Sequence, residues 1–235
     1  MKLTAAVKTM FVPWRAYLAE FLGTYILVFI SLGLVLVDVF YQNLEPVSIA
    51  LSLGFVYAAL LFMTVHLSGG FLNPAITVGL WFAKKLSGDK ALFFLVSQVL
   101  ASFLAGASVR YFFGKKSLDF SLGLAPISQE NLQMAIILEV IFTTVLIFGV
   151  FSSMVDKGGP VSFGPLVIGF LSVALSIFAF PISGAIFNPA KVIGPAIISA
   201  NYNILIVGII GPLSASLFGF FYDFVFIRRA IKPHS

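Results

Sequence analysis

The sequence predicts an all-α membrane protein with six transmembrane helices and two re-entrant half-helices, arranged as an inverted 3+3 repeat. Three observations predict it. The 235 residues are 60% hydrophobic and only 10% charged, with a mean hydropathy of +1.09, whereas a soluble domain carries about 25% charged residues. Six apolar segments are each long enough for the ~30 Å hydrocarbon core of a bilayer. A twelve-residue segment also occurs twice, as "SGGFLNPAITVG" at 68–79 and "SGAIFNPAKVIG" at 183–194, identical at six positions.

The first apolar segment, 15–38, follows Lys2, Lys8 and Arg15. Its run from Tyr17 to Val37 has the length of a full span and ends at no A-x-A-like site, so it reads as a helix rather than a cleaved leader. The other spans are 46–66, 89–113, 132–155, 160–180 and 203–228. Shorter apolar pieces, 74–83 and 189–199, lie between the second and third spans and between the fifth and sixth. Ten helical residues cover roughly 15 Å, half a bilayer. Both short pieces open at the repeated segment. The longest connector, "FGKKSLDFSLGLAPISQEN" at 113–131, is too short for a separate domain.

Charge sets the orientation. With the N-terminus inside, the cytoplasmic face holds Lys2, Lys8, Arg15, Lys84, Lys85, Lys90, Lys157, Arg228, Arg229 and Lys232. The opposite face holds Arg110, Lys115, Lys116 and Lys191. Ten against four places both termini in the cytoplasm. A pI near 9.5 does not mark a nucleic-acid partner, because the basic residues cap apolar runs and form no stripe. The chain has no cysteine, hence no disulfide or thiolate metal site. No Ser/His/Asp set, metal cluster or phosphate loop is legible, so neither an enzyme nor a cofactor or metal is expected. With no targeting segment in view, the plasma (cytoplasmic) membrane is the default location.

The duplication extends beyond the short segment. The first span reads "AEFLGTYIL" and the fourth "LEVIFTTVL", giving Glu20, Thr24, Leu27 and Glu139, Thr143, Leu146 at equal spacing. Each half, 15–113 and 132–228, therefore has three spans and one half-helix in the same order. Three is odd, so the second half enters from the opposite side and the two share a site near the midplane.

At that site Asn73-Pro74-Ala75 and Asn188-Pro189-Ala190 are helix starts. Asn is a good N-cap and Pro suits the first helical position. The two half-helices meet N-terminus to N-terminus, with both positive dipole ends facing one point. If each Asn oxygen is held by its cap, its NH2 is free to donate. A midplane water accepting from both could not accept from the next water, so a proton wire is interrupted.

These residues resemble the aquaporin (major intrinsic protein) family, and the resemblance covers nearly the whole chain. It implies one aquaporin-like channel domain over 1–235, passive transport of water with glycerol or another small neutral solute as further candidates, and a homotetramer with one pore per subunit. It implies that Glu20 and Glu139 support the re-entrant loops as hydrogen-bond acceptors. It further implies that the carbonyls of Gly69, Gly70, Phe71, Gly184, Ala185 and Ile186 line the pore. Gly54 and Gly169 are expected to permit a close helix crossing, and Gly106 and Ala107 to lie on outward faces.

The family's outer filter maps onto Leu53, Ser176, Ala185 and Lys191, where Lys191 stands in place of the usual Arg. Water-selective members usually carry an aromatic residue and a His where Leu53 and Ser176 stand, so a wider and partly apolar filter is expected. Lys is a flexible point charge with three donors rather than a planar fork with five. The alternative is that Lys191 snorkels out to the mouth. His66, one of two histidines, is a candidate gate at the cytoplasmic mouth or simply a structural residue. Other readings of the whole chain are a solute facilitator with water as a minor substrate, an inverted-repeat secondary transporter, and a structural protein whose pore is plugged by some of the 27 Phe.

Overall fold

In hydrocarbon every backbone N–H and C=O needs an internal partner, so apolar runs of this length fold as helices. The computed structural model describes residues 14–42 and 44–228, and the regular structure among them is helical. Lys2, Lys8, Arg229 and Lys232 of the charge count lie outside the described residues. The first repeat holds α1 (Trp14–Tyr41), α2 (Pro46–Thr64), α3 (Pro74–Phe82) and α4 (Gly88–Phe113). The second holds α5 (Leu132–Val150), α6 (Gly164–Ser183), α7 (Ile193–Ser199), α8 (Tyr202–Ala215) and α9 (Leu217–Tyr222). Single π-turns, Phe151–Val155 and Asp223–Ile227, prolong α5 and α9. Six helical stretches are long and apolar enough to cross a membrane: Trp14–Tyr41, Pro46–Thr64, Gly88–Phe113, Leu132–Val155, Val161–Ser183 and Tyr202–Ile227. The chain is an integral membrane protein.

Two segments differ from expectation. The connector at 113–131 contains 3₁₀ structure over Lys115–Gly123, kinked where Ser121, Leu122 and Gly123 are all left-handed. The second short piece is not one helix. Pro189–Lys191 is a 3₁₀ turn, Val192 breaks the geometry, and α7 starts at Ile193. Pro195 is the reason. It has no N–H for the Lys191 carbonyl and is accommodated in the first turn of α7.

The same pairing recurs in each repeat, α1 along α4 and α5 along α8, while α2 against α6 joins the repeats. Each half-helix also packs on the last span of the opposite repeat, α3 on α8 and α9, and α7 on α4. Gly54 and Gly169 make the α2–α6 crossing close, as the sequence predicts. A Cβ on Gly54 would sit 2.6 Å from the Gly169 carbonyl oxygen, and one on Gly169 would sit 2.8 Å from that of Gly54. Gly106 corrects an expectation. It faces inward, where a Cβ would lie 3.2 Å from Pro195 Cα, and only Ala107 beside it is exposed.

At the far end of α3 the sequence reading passed over a residue. Asp223 is fully buried, with Lys85 Nζ at 2.6 Å and Arg228 Nε at 2.5 Å. Arg228 Nη2 also donates to the Ala83 carbonyl at 3.2 Å. This cluster ties the end of the last span to the C-terminal end of α3.

Overpacking a close helix crossing costs about 1–3 kcal/mol. Gly54→Ala is therefore expected to lower the thermal-unfolding midpoint of the detergent-solubilised protein. Gly33→Ala, whose Cβ would meet only Phe113 at 4.0 Å, is expected to leave it near the native value.

Candidate transmembrane pore

The two Asn-Pro-Ala segments build the centre. Asn73 is extended (φ −154°, ψ 116°) and its side-chain oxygen accepts from Ala75 N at 2.9 Å. Asn188 repeats this at φ −149°, ψ 109°, accepting from Ala190 N at 3.0 Å. Each side-chain nitrogen then crosses to the other repeat. Asn73 Nδ2 donates to the Phe187 carbonyl at 2.9 Å, and Asn188 Nδ2 to the Leu72 carbonyl at 2.8 Å. The half-helices thus meet head to head. The expectation of a wholly free NH2 is corrected, because one N–H of each Asn braces the opposite loop, and the Tyr57 hydroxyl also hydrogen-bonds the Asn73 side chain.

The loops share one backbone path. Left-handed residues stand at Gly69, Gly70 and Leu72, and again at Gly184, Ala185 and Phe187. Three of these six are not glycine, and each non-Gly residue there costs about 1–2 kcal/mol. The buried carboxylates hold this shape. Glu20 accepts from Ser68 Oγ at 2.6 Å, Phe71 N at 3.0 Å, Leu72 N at 2.7 Å and Gln98 Nε2 at 2.8 Å. Glu139 accepts from Ser183 Oγ at 2.5 Å, Ile186 N at 2.9 Å and Phe187 N at 2.6 Å. Both Glu side chains are fully buried.

A second matched pair was not read from the sequence. Ser102 on α4 donates to the Ala190 carbonyl and accepts from Gly194 N at 2.8 Å. Ser216, just after α8, donates to the Ala75 carbonyl at 2.8 Å. Each hydroxyl holds the first turn of the opposite repeat's half-helix. Their near-equal spacing from the Asn of their own repeat, 29 and 28 residues, was the available signal.

A narrow cavity of about 30 Å³ is lined by Asn73 and Asn188. Leu53, Ser176, Ala185 and Lys191 all line it, together with Leu27, Tyr57, Leu146, Ser172, Ile186 and Phe187. Lys191 does not snorkel outward, since its Nζ donates to the Ala185 carbonyl at 2.6 Å. Beyond lies a cavity of about 20 Å³ that shares Ile186 and Lys191. Then comes an open vestibule of about 460 Å³, sharing Val35, Leu124, Ala125 and Phe180 with the last. Of the carbonyls predicted to line the pore, Ala185 takes the Lys191 ammonium and Phe71 accepts from Tyr57 Oη at 3.3 Å. Leu72 and Phe187 carbonyls, absent from the prediction, take the asparagines. Gly69, Gly70 and Gly184 sit at the left-handed turns. His66 is exposed in the turn after Thr64.

Six spans and two opposed half-helices around a narrow, largely apolar cavity that carries a few polar groups define the class, a membrane channel. Residues 6–222 match the family described as Major intrinsic protein. Aquaporin-4 of Mus musculus is 34% identical over 232 residues, covering 93% of this chain and 71% of that protein. The lens fiber major intrinsic protein of Gallus gallus is 34% identical, covering 92% and 83%. An aquaglyceroporin from Plasmodium falciparum shares the fold, with a TM-score of 0.75 at 23% identity, over 90% of this chain and 96% of that one. The chain belongs to the major intrinsic protein family.

Glu139→Ala removes the acceptor of two buried backbone N–H groups, each worth about 1–3 kcal/mol when orphaned. It is expected to lower the thermal midpoint sharply and to abolish permeation by reconstituted protein. Glu139→Gln keeps one acceptor oxygen and is expected to fall between Glu139→Ala and the native chain in both measurements.

Proposed function

We propose that the chain is a passive channel for water and small neutral solutes that excludes ions and protons. The observation that carries this reading is the midplane junction. The start of α3 and the 3₁₀ turn ahead of α7 face one point, where Asn73 and Asn188 each cap their own turn, brace the opposite loop and line the narrow cavity. A water there accepts from both asparagines and turns its own hydrogens outward. It cannot accept from a neighbour, so proton hopping stops at that point. The helix dipoles add a positive potential that repels cations.

Lys191 with Leu53, Ser176 and Ala185 forms the outer constriction in this reading. The ammonium keeps the positive charge of the usual Arg. One of its three donors is held by Ala185, which leaves two for solute. The carbonyls of the two re-entrant loops offer the acceptors along the way. Relatives named aquaporins support water as a solute, and the small filter side chains support a neutral solute larger than water. The assembly is a homotetramer with one pore per subunit, in the plasma (cytoplasmic) membrane with both termini cytoplasmic. The scarcity of Lys and Arg on the outer face supports that orientation.

Proteoliposomes exposed to a glycerol gradient in a stopped-flow instrument test the reading. The native chain is expected to shrink them much faster than lipid alone, with weak temperature dependence, and to reswell them as glycerol enters. Lys191→Arg places a planar fork in the constriction and is expected to slow the reswelling phase more than the shrinking phase. Native shrinkage no faster than that of empty liposomes would overturn the channel reading.

A further inference from the structure

Helical hydroxyls in an apolar setting usually return to a carbonyl one turn back. This chain follows the habit at Thr64 to Leu60, Thr144 to Val140, Ser153 to Gly149 and Ser199 to Pro195, at 2.6–2.8 Å. Ser172 on α6 does not. The residue is 6% exposed, and its hydroxyl has no hydrogen-bond partner among the described residues. Such a group costs free energy unless something satisfies it. Thr24 and Thr143 share the lack of a partner, but they do not line the narrow cavity, whereas Ser172 does.

Its place in that cavity gives the lack a use. Ser172 and Ser176 are one helical turn apart, ~6 Å along the axis. Both line the stretch between the asparagine pair and Lys191, where Leu27, Leu53 and Leu146 supply apolar surface. Over this stretch a solute gives up water on its apolar side and needs polar partners on the other.

We propose that Ser172 is a specificity-determining residue, a hydrogen-bonding station for the conducted solute between the midplane asparagines and the Lys191 constriction. This rests on the channel reading above. A solute with several hydroxyls engages Ser172 and Ser176 together while its carbon chain lies on the leucines. Water satisfies one station at a time and is replaced by the next molecule in line. The orphaned hydroxyl therefore lowers the barrier for a small polyol more than it lowers the barrier for water.

The ratio of glycerol to water permeability tests this in proteoliposomes, for the native chain, Ser172→Ala and Ser172→Thr. Losing one hydrogen bond in the crossing is expected to lower the ratio about fivefold in Ser172→Ala. Ser172→Thr keeps the hydroxyl and is expected to hold the ratio near native, even where its extra methyl slows both solutes. An unchanged ratio in Ser172→Ala, or equal loss of both permeabilities in both variants, would reduce Ser172 to a packing residue and overturn the proposal. A native chain that passes water but no glycerol overturns it too and leaves the water channel standing. A native chain that passes neither overturns the channel reading itself.

Discussion

Everything in this fold depends on holding irregular backbone at the depth of a hydrocarbon slab. Two loops bring unpaired N–H groups there, in left-handed conformations that Leu72, Ala185 and Phe187 adopt against their own preference. Two carboxylates are buried at the same depth. Either alone would be unfavourable, since a lone Glu in an apolar span is expensive and a lone loop leaves N–H groups unmet. Placed together, each satisfies the other. Glu20 and Glu139 each take two successive loop N–H groups and a serine hydroxyl, and such charge-assisted bonds are about twice as strong as neutral ones.

The bonds that fix the junction run crosswise between repeats. Asn73 reaches Phe187, Asn188 reaches Leu72, Ser102 reaches Ala190 and Ser216 reaches Ala75. Gly54 and Gly169 add a backbone contact between the repeats on another side. An inverted-repeat carrier works by rocking one repeat against the other around its site. Such a motion here would break these buried hydrogen bonds together. The architecture favours a fixed lumen over alternating access.

Span number, half-helices and the Asn caps were legible because they rest on length and duplication, which survive without coordinates. The roles of Glu20 and Glu139 came from family resemblance, and the structure supplies the partners. Other features were hidden for identifiable reasons. A serine in an apolar helix commonly bonds its own backbone, so neither Ser102 nor Ser172 stood out. Asp223 stood alone in a long apolar run; its partner Arg228 is five residues on, but Lys85 comes from a distant point of the chain. The break after Lys191 turns on Pro195, which is compatible with a continuous helix until the register of its first turn is known. Gly106 was misplaced because small residues look alike whether they face α7 or the outside.

The two copies differ most after the Asn-Pro-Ala motif, and the difference follows from where each side chain ends. Ile76 is 1% exposed and packs in the core with Leu27, Leu61 and Leu80. Lys191, at the matching position, turns to the carbonyl of Ala185 in its own loop and lines the cavity. The duplication is thus symmetric where the backbone must be held and asymmetric where charge is presented. A cation in both copies would put one ammonium in the hydrocarbon-packed core of the first repeat. With a cation in neither, only the dipole ends would oppose positive charge. A single Lys in the cavity adds its field to theirs.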